Sequence, residues 1–167
     1  DNQPKLEFDG FESAIRTLGQ HIKSGVLILV ETTVPPGTCE KIVVPTLYSE
    51  LEKRGINPNS VHVAHSYERV MPGEDYLASI VDYWRVFSGY TQKAGDMCED
   101  FLSNVINVND FPLTRLSSTI ASETAKVMEN TYRAVNIAFI DEWTKYAESI
   151  GIDLFEVVNA IKTRPTH

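Results

Sequence analysis

Lys126 and Asn130 stand four residues apart in a stretch, 118–150, that contains neither Gly nor Pro. On a helix that spacing projects an ammonium and a carboxamide from one side, one turn apart, and such a pair can stabilise a developing oxyanion. Spacing taken alone favours the plainer account, a solvated lysine beside a helix-surface asparagine. Thr33 follows the apolar run Val26–Val30. A hydroxyl there can bind a cofactor or hold a water, but without further context turn chemistry ahead of Pro35 and Pro36 explains it better. Glu68 beside Arg69 is an acid/base residue or an ordinary pair of neighbouring charges, and the strand-end position brings the two accounts level. His62 and His65 look like a metal pair, yet strand alternation sends them to opposite faces, so no metal is expected. Glu129 and Arg133 form an i,i+4 pair that supports a helix, with a phosphate contact by Arg133 the weaker option. Cys39 and Cys98 fall in separate predicted helices without metal spacing and read as reduced thiols of a cytoplasmic protein.

The element that must position Lys126 and Asn130 is a helix over 119–150, roughly 48 Å long at the usual rise. Ser117, Ser118 or Thr119 can cap its start and Gly151 its end. Met128, Tyr132, Val135, Phe139, Trp143 and Tyr146 recur at helical spacing and form one apolar stripe, the signature of a helix that bridges domains or packs on a symmetry partner. Upstream, residues 1–10 read as loop, and Phe11, Ile15, Leu18 and Ile22 mark a helix ended by Gly25. The run VLILV suits a parallel strand covered on both faces. A helix from about Pro36 to Arg54 carries Pro45, where a kink or a late start is expected. Further strands are expected at Val61–His65, Arg85–Ser88 and Ile106–Val108, and helices around Tyr76–Tyr83, Ala94–Leu102 and Leu154–Ile161, with 109–117 a linker. Alternating strands and helices argue for parallel βαβ units, whose ligands collect at the carboxyl ends of the strands. The polar tips Thr32-Thr33, Ser66–Arg69 and Ser88-Gly89 are then expected to face one crevice.

The composition agrees with a cored domain and narrows its partners. Apolar residues make up 43% of the 167 residues, and the net charge of −8 argues against nucleic acid or a membrane surface. No apolar run is long enough to cross a bilayer. No G-x-G-x-x-G occurs, the first residue is Asp1 and the last four are Arg164 to His167, so the chain reads as a segment cut from something larger.

Three motifs in order, TTVPPGT (Thr32–Thr38), SYERVMPG (Ser66–Gly73) and ETAKVMENTYRAVNIAFIDEW (Glu123–Trp143), resemble the nucleotide-sugar 6-dehydrogenases that act on UDP-glucose, GDP-mannose or UDP-N-acetylmannosamine. IDLFEVVNAIKTRP looks like that family's segment leading to its substrate domain. The resemblance implies an α/β fold, the second half of a doubly wound parallel-sheet (Rossmann-like) domain followed by a long-helix, all-α central domain. Residues 1–112 would be the back of the NAD-binding domain and 113–167 the start of the central one. The family oxidises the sugar C6 alcohol to a carboxylate with two NAD, through a thiohemiacetal and a thioester on an active-site cysteine. Carried over by motif, Thr33 is the strand-end threonine that holds a catalytic water near the nicotinamide, and Glu68 lies near cofactor and substrate. Lys126 and Asn130 face the reacting C6, Arg69 and Arg133 join them on the nucleotide sugar, and the long helix is the homodimer contact.

The chain also departs from that pattern. Tyr67 replaces the proline usual before the glutamate, and Pro72 stands where the UDP-glucose branch carries a second acid, so VMPG looks more like the GDP-mannose or N-acetylhexosamine branches. Neither Cys39 nor Cys98 matches the Gly-rich segment of the nucleophile, so the chain as given is expected to have no dehydrogenase activity. The competing readings are a non-catalytic dimerisation or nucleotide-binding module and a 6-phosphogluconate-type or hydroxy-acid dehydrogenase. The latter ranks lower because such enzymes lack TVPPGT together with ERVMPG.

Overall fold

The computed structural model describes residues 8–70 and 73–164. The loop expected over 1–7, Met71 and Pro72 of the SYERVMPG motif, and the final residues 165–167 lie outside the described residues. The described residues fall in two compact units, one ending at Val127 and the other starting at Met128.

The first unit is a four-stranded sheet in the order β1 (Leu27–Val30), β2 (His62–Tyr67), β3 (Val86–Gly89), β4 (Thr114–Arg115). Helix α1 (Asp9–His21) begins inside the expected loop, so Asp9 and Gly10 are already helical. It packs on α2 (Val44–Lys53), and a Cβ at Gly19 would come 2.7 Å from the Glu50 Cβ, so the two helices approach as only glycine allows. Pro45 sits in the first turn of α2 and lacks the N–H for a regular bond back to the preceding turn. The chain before it is accordingly a π-helical turn, Cys39–Val43, in which the Val44 N–H reaches back to the Cys39 carbonyl. Pro45 thus marks a late start after a widened turn.

Two core clusters flank the sheet. Ile15, Val30, Cys39, Val43, Leu47, Leu51 and Val63 belong to one, and Ala64, Phe87, Cys98, Leu102 and Ile106 to the other, beneath α4 (Gln92–Ser103). Val63 and Ala64 enter different clusters because successive residues of β2 alternate faces. All six residues of β2 are buried, whereas Leu27, Ile28 and Leu29 of β1 are half-buried. The strand covered on both faces is therefore β2, and the apolar run VLILV forms an edge among the described strands.

Strand direction departs from the all-parallel expectation. β1 and β2 are parallel, with Val30 opposite His65, but β3 runs antiparallel to β2, with Ser88 opposite His65 and Val86 opposite Tyr67. Among its described residues the link between them, 68–85, carries one short helix, α3 (Tyr76–Val81). The Ser88-Gly89 tip accordingly points away from the crevice at the ends of β1 and β2. The start of β3 is there instead, where the Arg85 guanidinium lies 3.1 Å from the Glu31 carboxylate just beyond β1. Ile106–Val108 is a turn whose Ile106 fills the core, and the fourth strand is Thr114–Arg115, inside the expected linker. The Thr114 N–H donates to Arg85 and the Leu116 N–H to Phe87, which makes it a strand by pairing alone.

Helix α5 runs over 32 residues, Thr119–Ile150. Ser118 caps it, its Oγ accepting from the Ala121 N–H at 3.2 Å. Gly151, at φ +73°, closes it in a Schellman turn, with the Ile152 N–H on the Ala147 carbonyl. The second unit consists of α5 from Met128 onward and α6 (Leu154–Ile161), which Asp153 caps at 2.8 Å from the Phe155 N–H. Along α5 in this unit Met128, Tyr132, Val135, Phe139, Trp143 and Tyr146 are all exposed.

Candidate functional site

Lys126 lies on α5 within the first unit and is only 8% exposed. Its Nζ donates to the Glu68 carbonyl at 2.8 Å and stands 5.3 Å from the centroid of the Tyr67 ring. It makes no ion pair among the described residues. The structure thus brings Lys126 to the loop that leaves β2, and the Glu68 side chain turns back onto that loop, its Oε2 2.5 Å from the Val70 N–H. Arg69 is occupied locally: Nη1 donates to the Trp84 carbonyl at 2.6 Å and Nη2 to the Tyr67 hydroxyl at 3.2 Å. Thr32 and Thr33 are exposed just past the end of β1. Asn130 and Arg133 belong to the second unit, both exposed, and Asn130 follows Lys126 by one turn of α5.

The sequence reading assigned nothing to Glu123, yet this residue ties the site together. Its side chain is fully buried and its two oxygens accept the Gly37 N–H at 2.5 Å and the Cys39 N–H at 2.8 Å. These are N–H groups at the start of the π-helical turn, which have no partner within the helix. Gly37 supplies one of them from a left-handed conformation, φ +91°, where a side chain would be strained. One carboxylate therefore fixes the segment that follows Thr33 to α5, one turn before Lys126. The available signal was a glutamate set among Ala121, Ser122, Thr124 and Ala125, too common a pattern to single out.

A second buried group joins β2, β3 and α5. His65 Nδ1 lies 2.7 Å from the Ser122 hydroxyl, which is 2.6 Å from the Ser88 hydroxyl and donates to the Thr119 carbonyl at 3.0 Å. His65 is fully buried and its Nε2 meets no hydrogen-bond partner among the described residues. Burial holds the imidazole below its usual 6.5, against smaller upward pulls from the Glu123 charge and the Thr32 backbone. The folded chain thus binds this proton less readily than the unfolded one. Stability falls as the pH drops below about 6.5 and levels off once the folded form also protonates. The check is the pH dependence of the urea midpoint: His65→Asn is expected to flatten the slope between pH 7 and 5, and an unchanged slope would assign the titration elsewhere.

Both cysteines are free and fully buried. Burial is the main reason each thiol is raised: Cys39 well above its ordinary range, with the Glu123 hydrogen bond and charge adding to it, and Cys98 to about 12. Neither is a thiolate nucleophile in this fold. Among the described residues no helix is long and apolar enough to cross a membrane.

This architecture matches known proteins along nearly its whole length. Residues 1–105 match the model of the UDP-glucose/GDP-mannose dehydrogenase family, NAD binding domain, and residues 120–167 match that of the same family's central domain. The chain belongs to this family. Its fold is the Rossmann-like one of these dehydrogenases, and the cofactor of the matched domain is NAD. Among its relatives, the UDP-N-acetyl-D-mannosamine dehydrogenase of Methanocaldococcus jannaschii is 33% identical over 99% of this chain and 35% of that protein. The solved UDP-D-ManNAc dehydrogenase of Pyrococcus horikoshii superposes with a TM-score of 0.81 at 31% identity, over 95% of this chain and 36% of its own. The GDP-mannose dehydrogenase of Pseudomonas aeruginosa, at 21% identity and a TM-score of 0.81, shares the fold. The family chain described here thus spans about a third of the length of these relatives.

Proposed function

We propose that the full-length protein is an NAD-dependent nucleotide-sugar 6-dehydrogenase that oxidises the C6 alcohol of a UDP- or GDP-sugar to the carboxylate, in the cytoplasm, for polysaccharide precursors. The observation that carries this reading is the Lys126 ammonium, buried beside the loop after β2 with no carboxylate paired to it among the described residues. An ammonium so placed keeps N–H groups for a developing oxyanion in a water-poor setting, where each is worth far more than in bulk water. Asn130, one turn on, supplies an amide donor of the same kind. The exposed Thr33 hydroxyl holds the catalytic water, and Glu68 lies at the junction of cofactor and sugar, with Arg69 and Arg133 on the substrate side. NAD, when bound, accepts the hydride from C6. Thr32 and Thr33 at the carboxyl end of β1 fit the nicotinamide side of that group, while the sequence holds no glycine fingerprint for its pyrophosphate. Because Cys39 and Cys98 are both sealed in the core, the nucleophile is a cysteine outside these residues, and the chain alone turns over no sugar.

The domains divide, on this reading, near residue 112, and the exposed apolar residues of α5 from Met128 to Tyr146 support a homodimer through that helix. One preparation of the full-length protein tests these points. Assayed against a panel of UDP- and GDP-sugars, it is expected to form two NADH per sugar with one or a few of them, and to weigh in as a dimer by light scattering. A full-length protein that binds nucleotide sugar but reduces no NAD supports a non-catalytic module instead, and activity on a free hydroxy acid supports the 6-phosphogluconate type.

A further inference from the structure

The ammonium of Lys126 is nearly sealed from water, and a buried cation is costly unless something replaces its hydration. Among the described residues two groups do so. One is the Glu68 carbonyl, which takes a single N–H at 2.8 Å. The other is the face of Tyr67, whose centroid is 5.3 Å from Nζ, within the range at which a ring quadrupole attracts a cation. The ring is itself immobilised. Tyr67 is 2% exposed, its hydroxyl accepts from Arg69 at 3.2 Å, and the Arg69 Cζ lies 5.1 Å from the same ring centroid. Arg69 in turn is anchored on the Trp84 carbonyl at 2.6 Å. A chain of contacts thus runs from the start of β3 through a guanidinium and a phenol to the ammonium.

We infer that Tyr67 is a positioning residue for Lys126: its ring, clamped by Arg69, holds the ammonium in place while leaving N–H groups for an oxyanion. A carboxylate in that position would pair with the ammonium and use up those donors. The proline that Tyr67 replaces in the motif has no π face to offer. The functional half of the inference rests on the proposed role of Lys126 at C6; the structural half does not.

The test uses the full-length protein with phenylalanine and then di- and trifluorophenylalanine at position 67, a series that weakens the π face at nearly constant volume. Lys126 reactivity toward acetic anhydride, read by competitive labelling and mass spectrometry, needs neither cofactor nor sugar. Acetylation of Lys126 is expected to rise roughly 3- to 30-fold across the series, the span of a lost cation–π contact, and kcat to fall in step. A packing role alone would leave labelling flat, and flat labelling overturns the inference whatever turnover does. Graded labelling with unchanged kcat upholds the contact and sinks the oxyanion role of Lys126 instead. Tyr67→Leu serves as a second arm and is expected to label at least as fast as the trifluoro variant.

Discussion

Glu123→Ala is expected to lower the stability of the first unit by about 3–5 kcal/mol, the largest effect of any single side-chain truncation near the site. Two buried backbone N–H groups, those of Gly37 and Cys39, lose their acceptor together, and each such group left unpaired costs about 1–3 kcal/mol. A cavity in a fully buried position adds to that. Glu123→Gln separates the terms. Its amide keeps one acceptor but presents an NH2 to the second N–H, so donor faces donor and about half of the loss persists. The urea midpoint measures both. If Glu123→Gln matches the unsubstituted chain, the two short contacts contribute little and the first turn of α5 is held by packing alone.

Gly89→Ala is expected to cost about 3 kcal/mol or more, by a different route. A Cβ at Gly89 would stand 2.1 Å from the Gly95 nitrogen and 2.5 Å from the Thr91 carbonyl oxygen. Both are backbone atoms of the turn into α4, so β3 and α4 must separate for it to fit. Gly95→Ala is the control. Its Cβ would meet the end of the Arg115 side chain, 2.1 Å from Nη2, and that guanidinium can swing away from its partners Asp96 and Glu99. The expected cost there is about 1 kcal/mol, the strength of an exposed ion-pair network. Equal midpoints for the two variants would show that the β3–α4 junction yields more easily than its spacing implies.

Much of the fold was legible because its signals are local. A run of residues without Gly or Pro between Ser118 and Gly151 leaves a helix little alternative, and its ends fall where the cap and the stop stand. Strand direction left no such mark. Side chains alternate identically in parallel and antiparallel strands, so VFSG could not reveal that β3 runs backward, nor could two residues, Thr114 and Arg115, announce β4. Burial misled in a related way. The apolar VLILV is half-buried, while β2 buries His65 and Ser66, because the Ser122 hydroxyl meets the His65 Nδ1 and the Val86 carbonyl takes the Ser66 hydroxyl. In the site, the motif residues Lys126 and Glu68 meet in space, but Glu123 and Tyr67, which fix them, touch partners 86 and 59 positions away in the sequence (Gly37 and Lys126), and no local pattern encodes such a contact.

The half-buried β1 has a practical consequence for handling the isolated chain. Its paired side meets β2, and among the described strands its other side offers free amide and carbonyl groups flanked by Leu27, Ile28 and Leu29. A short, uncharged, branched-aliphatic rim of that kind invites strand addition from a neighbouring molecule. Concentrated samples of the 167-residue polypeptide are therefore prone to insoluble intermolecular sheet.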